Sequence, residues 1–201
     1  GKNTGGMGAY APAPIVTPEI LATVRTRLVK PVLDGMREGG SPFIGCLFVG
    51  LMIDGDDVNV VEFNARFGDP ETQVVMSVLN ADVAALFASA ARGSIDASTI
   101  TTVAMGYACN VVLASGGYPD EYAKGLPISG IDEAEADPHV TVFHAGTTMK
   151  DNVVVTNGGR VLSVTATADT LANAVRRSYE ACAKISFAGK TLRSDIAAKA
   201  V

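Results

Sequence analysis

The chain has 201 residues, 48% of them hydrophobic, with a formal net charge of -5 at pH 7, enough apolar material for one large packed domain or two small ones. Residues 1–100 carry 7 basic and 11 acidic side chains and residues 101–201 carry 9 and 10, so no basic block suits a nucleic-acid backbone or an anionic membrane, and neither is expected as a partner. Cys46, Cys109, Cys182, His139 and His144 lack the paired spacing of a disulfide framework or zinc site, and no apolar run reaches the ~20 residues of a membrane-spanning helix, so a cytoplasmic setting is expected.

The chain opens without Met on GKNTGGMGAYAPAP, inside what reads as a working Gly-rich loop, and a fragment of a longer protein is expected. Gly5, Gly6 and Gly8 allow close backbone approach to a ligand and positive φ, while Asn3 and Thr4 offer hydrogen bonds. The loop lacks the Lys-Ser/Thr ending of a P-loop and the strand before a dinucleotide fingerprint. Alone, it could be any loop.

Thr17-Pro18-Glu19 predicts a helix start, with Ile20, Leu21, Val24 and Leu28 on one face, a kink or restart at Pro31 and an end at Gly39-Gly40. Phe43 to Ile53 and Val58 to Phe63 predict an antiparallel hairpin around Asp54-Gly55-Asp56-Asp57. Strict alternation places Val58, Val60, Glu62 and Asn64 on one face and Asn59, Val61 and Phe63 on the other. Asp69-Pro70-Glu71 predicts a capped helix through about Leu79, and a second helix spans roughly Asp82 to Arg92.

The polar stretch 94–102 reads as a boundary, dividing the chain into residues 1–98 and 99–201. Beyond it lie strands at Val103 to Ala114, Val140 to His144, Val153 to Thr156 and Val161 to Thr167, with a turn at Gly116-Gly117-Tyr118-Pro119. Asp169 is expected to cap a final helix bearing Leu171, Val175, Cys182 and Ile185. The fold class is α+β.

The charges of VVEFNARFGDPETQ, residues 60–73, are the chemical focus. Glu62 and Asn64 on one strand face offer a carboxylate and an amide oxygen to a hard cation such as Mg²⁺; a solvent-facing Glu on a hairpin is the plainer alternative. Arg66 could hold phosphate or acyl-phosphate charge with its planar fork, or form an ion pair with Asp69 or Glu71. Asp69 and Glu71 suit a helix N-terminus, where free N–H groups also make Gly68 and its neighbours a plausible anion wall. His144 reads as a structural histidine.

Together, NTGGMGAYAPAP (3–14), EFNARFGDPETQ (62–73), GGYP (116–119), FHAGT (143–147) and TNGGRVLSVTA (156–166) resemble the glycinamide ribonucleotide synthetase family, also called phosphoribosylamine–glycine ligase. The resemblance is to its C-terminal part and runs in order from Asn3 to about Ile196, and the opening is most similar to the fungal form fused to aminoimidazole ribonucleotide synthetase. It implies the second half of an ATP-grasp domain over 1–98 and a small, β-rich α+β domain over 99–201, with N-terminal ligase domains missing. The implied reaction ligates glycine to 5-phosphoribosylamine at the expense of ATP through glycyl phosphate, giving glycinamide ribonucleotide, ADP and phosphate.

The resemblance implies Glu62 and Asn64 as Mg²⁺ or Mn²⁺ ligands, with Glu62 serving the ATP side, and Arg66 as the catalytic arginine. It implies that Gly68, Asp69, Pro70 and Glu71 line the glycine and phosphoribosylamine side, facing Asn3, Thr4, Gly5, Gly6 and Gly8. Leu51 is hypothesised to pack on adenine, with a core role as the alternative. The further acidic ligand that many ATP-grasp enzymes place at about Val49 to Leu51 is missing, leaving the metal count open. Arg193-Ser194-Asp195-Ile196 departs from the Arg-Lys-Asp-Ile of family proteins. The chain alone is expected to be inactive; the alternatives are another ATP-grasp ligase or carboxylase of purine metabolism, or a non-catalytic assembly module.

Overall fold

A computed structural model describes residues 2–102 and 104–201. Gly1 and Val103, the expected start of a strand, lie outside the described residues. The Gly-rich opening runs into strand β1 (Gly8–Ala11), where a loop is expected. Thr17 caps α1 (Pro18–Thr23), its hydroxyl accepting the Ile20 N–H at 3.3 Å. Pro31 has no N–H for the carbonyl one helical turn before it. The backbone over Val24–Val29 widens into a π-helical stretch, with the Lys30 N–H reaching the Arg25 carbonyl, before α2 (Lys30–Glu38) continues. Of the kink or restart expected at Pro31, the structure shows the restart, with Pro31 in the first turn of α2.

Strands β2 (Phe48–Asp54) and β3 (Asp57–Asn64) make the expected antiparallel hairpin, closed through Gly55 at φ +57°. β2 begins at Phe48 rather than Phe43, because Gly45 at φ +143° turns the chain away from an extended path first. Helix α3 (Glu71–Val78), short strand β4 (Asn80–Ala81) and α4 (Val83–Ala91) follow. The Asp82 carboxylate caps α4 by accepting the Ala85 N–H at 2.9 Å, and Gly93 at φ +78° follows its end. The expected boundary stretch contains β5 (Ile100–Thr102), paired with β4.

The second half contains β6 (Tyr107–Ala114), α5 (Ile131–Glu135), β7 (Val140–His144), β8 (Thr147–Lys150), β9 (Val153–Thr156), β10 (Arg160–Ala168) and α6 (Leu171–Lys184). The β8–β9 hairpin turns through Asp151 and Asn152, both at positive φ, which these short polar side chains tolerate. Thr170, not Asp169, caps α6 by accepting the Asn173 N–H at 3.3 Å. Thr170 is the last extended residue before Leu171 starts the helix, so its hydroxyl has the reach that Asp169 lacks.

Two compact units interleave along the chain: Gly1–Pro12, Asp69–Leu79 and Ala104–Val201 form one, and Ala13–Gly68 and Asn80–Val103 the other. In the first, the antiparallel sheet runs β1-β6-β10-β7. Alternate residues of β6 serve two packed layers: Cys109, Val111 and Leu113 join the core with Ala174, Ala181 and Cys182 of α6, while Ala108 packs with Val74 and Val78 of α3. Burial on both faces explains the nearly continuous apolar run of β6. Its polar exception, Asn110, donates to Thr165 on β10 at 2.6 Å and also to Ser163. The second unit comprises α1, α2, the β2–β3 hairpin, α4 and the β4–β5 pair, with the rings of Phe67 and Phe87 in tilted contact at 5.1 Å between centroids.

Candidate functional site

Within the second unit, the end of the β2–β3 hairpin carries Glu62, Asn64 and Arg66. The ladder pairs Gly50 with Glu62 and Phe48 with Asn64, but Leu51 with Val60, so Val61 is an extra residue in β3. The strict alternation expected from Val58 to Asn64 is therefore interrupted at Val61. From Glu62 to Asn64 it is regular, and those two residues still share a face. A Cβ on Gly50 would lie 3.1 Å from Cγ of Glu62, so the missing side chain makes room for Glu62 across the ladder. Leu51, half-buried, stands one ladder step away opposite half-buried Val60.

Beyond the last strand residue, Arg66 folds back along its own segment. It donates to Oδ1 of Asn64 at 3.2 Å and to the Phe67 carbonyl at 3.0 Å, with its guanidinium carbon 5.9 Å from the Phe48 ring centroid. These contacts hold the cation beside the two oxygen donors. Glu62 is exposed, and among the described residues its carboxylate carries no hydrogen bond or ion pair. Nδ2 of Asn64 is buried without a partner. The donor set fits a hard divalent cation: one free carboxylate, and an amide oxygen that keeps a lone pair after accepting from Arg66.

Within the first unit, the Gly-rich loop lies against the start of α3. A Cβ on Gly6 would stand 2.5 Å from Cδ of buried Pro70, and one on Gly8 would meet Cδ1 of Ile196 at 2.6 Å and the Asn110 carbonyl at 2.8 Å. Only glycine allows these approaches. Asn3 and Thr4 stand exposed at the beginning of the loop, and Glu71 opens α3, half-buried. Gly68, which belongs to the other unit, is buried. Asp69 does not cap α3. Pro70 occupies the cap position behind a cis Asp69–Pro70 bond, and the Asp69 carboxylate instead accepts from Nε2 of Gln73 at 3.0 Å and from Arg160 at 2.8 Å.

Arg160 and Tyr118 complete this cluster, and neither stands out in the sequence as a functional residue. Arg160 also donates to the carbonyls of Gly6 at 3.0 Å and Asp69 at 2.8 Å, while the Gly5 N–H donates to the Tyr118 hydroxyl at 3.1 Å. Their signal was present in the blocks GGYP and TNGGRVLSVTA, but nothing local to either block names its partner. His144 makes a 3.0 Å contact from Nδ1 to Oγ1 of Thr147.

Sequence models of two domains match the chain: "Phosphoribosylglycinamide synthetase, ATP-grasp (A) domain" over residues 1–72 and "Phosphoribosylglycinamide synthetase, C domain" over residues 108–199. The chain belongs to the phosphoribosylglycinamide synthetase family. It is 49% identical to a phosphoribosylamine–glycine ligase of Chlorobaculum tepidum, matching 100% of this chain and 47% of that one. It is 48% identical to a bifunctional purine biosynthetic protein of Pichia angusta, matching 100% of this chain and 25% of that protein. The crystal structure of the phosphoribosylamine–glycine ligase from Thermotoga maritima superposes with a TM-score of 0.84 at 36% identity, covering 98% of this chain and 47% of that one. The chain thus spans about half the length of the single-function relatives it matches and a quarter of the bifunctional one. Its α+β fold includes part of an ATP-grasp domain, which contains the Glu62, Asn64 and Arg66 group.

Proposed function

We propose that this chain is the C-terminal part of a longer ligase that joins glycine to 5-phosphoribosylamine with ATP. The observation that carries the reading is the trio at the hairpin end: a free Glu62 carboxylate, Asn64 on the same face, and Arg66 hydrogen-bonded to Asn64, inside the span matched by the ATP-grasp family model. Residues 1–98 are proposed as the second half of the ATP-grasp domain and 99–201 as the small α+β domain. The setting proposed is the cytoplasm; among the described residues, no helix is long and apolar enough to cross a membrane.

In this reading, a glycine carboxylate oxygen attacks the γ-phosphorus of ATP, the bond to the β-phosphate oxygen breaks, and glycyl phosphate and ADP form. The phosphoribosylamine nitrogen then attacks the acyl carbon, phosphate leaves and the nitrogen gives up a proton, yielding glycinamide ribonucleotide. Glu62 and Asn64 would hold Mg²⁺ or Mn²⁺, which when bound offsets phosphate charge. Arg66 holds negative charge on the transferring phosphoryl and acyl-phosphate groups. Leu51 is proposed to pack on adenine. Within the first unit, Asn3, Thr4, Gly5, Gly6 and Gly8, with Asp69, Pro70 and Glu71, are proposed as substrate-binding residues for glycine and the amine, and Gly68 of the second unit is proposed as a further one.

The test is ADP release by the longer protein that carries this segment, with glycine and phosphoribosylamine each omitted in turn. Release that requires both supports the reading. Release indifferent to glycine but dependent on another acid would assign the site to a different ATP-grasp ligase. The separate chain of residues 1–201 is expected to release no ADP under the same conditions.

A further inference from the structure

We infer that Arg160 is a positioning residue for the substrate loop, an inference that rests on the ligase reading for its effect on catalysis. Arg160 is the first residue of β10, and the residues that follow it, Val161 and Leu162, are fully buried. Its side chain is therefore carried by a strand start whose next two residues are packed in the core. One terminal nitrogen donates to the carbonyls of Gly6 and Asp69, the other to the Asp69 carboxylate. A single planar fork thereby fastens the Gly-rich loop to the start of α3, segments far apart in the chain.

The geometry requires this residue type. Three acceptors shared between two terminal nitrogens suit the fixed donors of a guanidinium, whereas an ammonium on a flexible stem does not hold all three in one arrangement. A Cβ on Gly5 would lie 3.1 Å from the guanidinium carbon, so glycine leaves the seat open. Tyr118 secures the other side by accepting the Gly5 N–H. Gly5 and Gly6, which would otherwise sample many conformations, are thus held through one N–H and one carbonyl. The charge of Arg160 is neutralised internally by Asp69, whose other oxygen accepts from Gln73. Arg160 is accordingly a strut behind the loop rather than a free cation for a phosphate.

The experiment compares wild type, Arg160→Lys and Arg160→Ala in the longer protein, with kcat and KM measured for glycine, phosphoribosylamine and ATP. Misplacement of a positioning loop by ~1 Å can cost about 100-fold. We expect kcat/KM for glycine and for phosphoribosylamine to fall about 10- to 100-fold in both variants, while KM for ATP stays within about twofold. Low-millimolar guanidinium should restore Arg160→Ala and leave wild type unchanged.

An equal loss for all three substrates without guanidinium rescue, or no loss, would overturn the inference. Hydrogen exchange of the separate chain supplies a readout independent of turnover. Arg160→Ala should accelerate exchange at the amides of Gly5 to Gly8 while α6 keeps its protection. If wild type lacks glycine-dependent ADP release, the ligase reading fails, and exchange still decides whether Arg160 fastens the loop: unchanged exchange rejects the strut.

Discussion

Gly159 lies against the ring of Tyr118, so closely that a Cβ built on it would stand 2.2 Å from Cδ2 of the tyrosine. The same tyrosine accepts the Gly5 N–H, and the residue after Gly159 is the arginine that holds Gly6 and Asp69. The blocks NTGGMG, GDPETQ, GGYP and TNGGR thus contribute to one local cluster. Gly159→Ala must displace the Tyr118 ring and is expected to destabilise the chain by about 1–3 kcal/mol. Urea unfolding of the 201-residue chain checks this; a midpoint equal to wild type would show that the ring moves freely.

The Asp69–Arg160 pair is 2.8 Å long, but the side chains are 54% and 25% exposed, so solvent screens much of its charge interaction. Asp69→Asn keeps the shape and removes the charge. The expected loss is about 1 kcal/mol at low salt and smaller at high salt. Thermal unfolding at two ionic strengths measures it, and a loss that grows with salt would contradict this account.

Glu62 separates function from stability. Its carboxylate is exposed and without a hydrogen bond or ion pair among the described residues, so Glu62→Gln should change unfolding of the separate chain by no more than about 0.5 kcal/mol. In the longer protein the same substitution should lower kcat/KM by about 100-fold or more and raise the divalent-ion concentration needed for half-maximal rate. Normal metal dependence in Glu62→Gln would remove Glu62 from the proposed ligand set.

Burial pushes the Cys109 thiol up to about 11 and the Cys182 thiol up to about 12. An unfolded thiol ionises near ~8.5, so both favour the folded state fully below that pH. Their contribution declines as pH rises through the unfolded value and towards 11 and 12. At pH near 8, iodoacetamide should modify half-buried Cys46 first and reach Cys109 and Cys182 only after denaturation. Mass spectrometry of the labelled peptides tests the order.

The hairpin and its charged end were largely legible, because alternation, turn chemistry and the Glu-x-Asn spacing are local signals. What alternation missed was the extra residue at Val61, since a bulge depends on how the partner strand pairs. Asp69 reads as a helix cap for the same local reason, yet its carboxylate is engaged by Arg160 and Gln73, and Pro70 takes the cap position. β1 looks like loop because Gly8 and two alanines carry little strand propensity; the β6 ladder and close packing on Ile196 hold it extended.

By itself, the sequence determined the helices and strands with strong periodicity, the family, and the oxygen donors offered by Glu62 and Asn64. These follow from side-chain types at short spacing, where covalent geometry sets which groups can meet. Tertiary structure alone decided that β6 lies between β1 and β10, and that Arg160 and Tyr118 hold the Gly-rich loop and the Asp69–Pro70 segment. Those contacts join residues distant in the chain, and which of them form depends on how the whole unit buries its apolar faces while satisfying its backbone donors and acceptors.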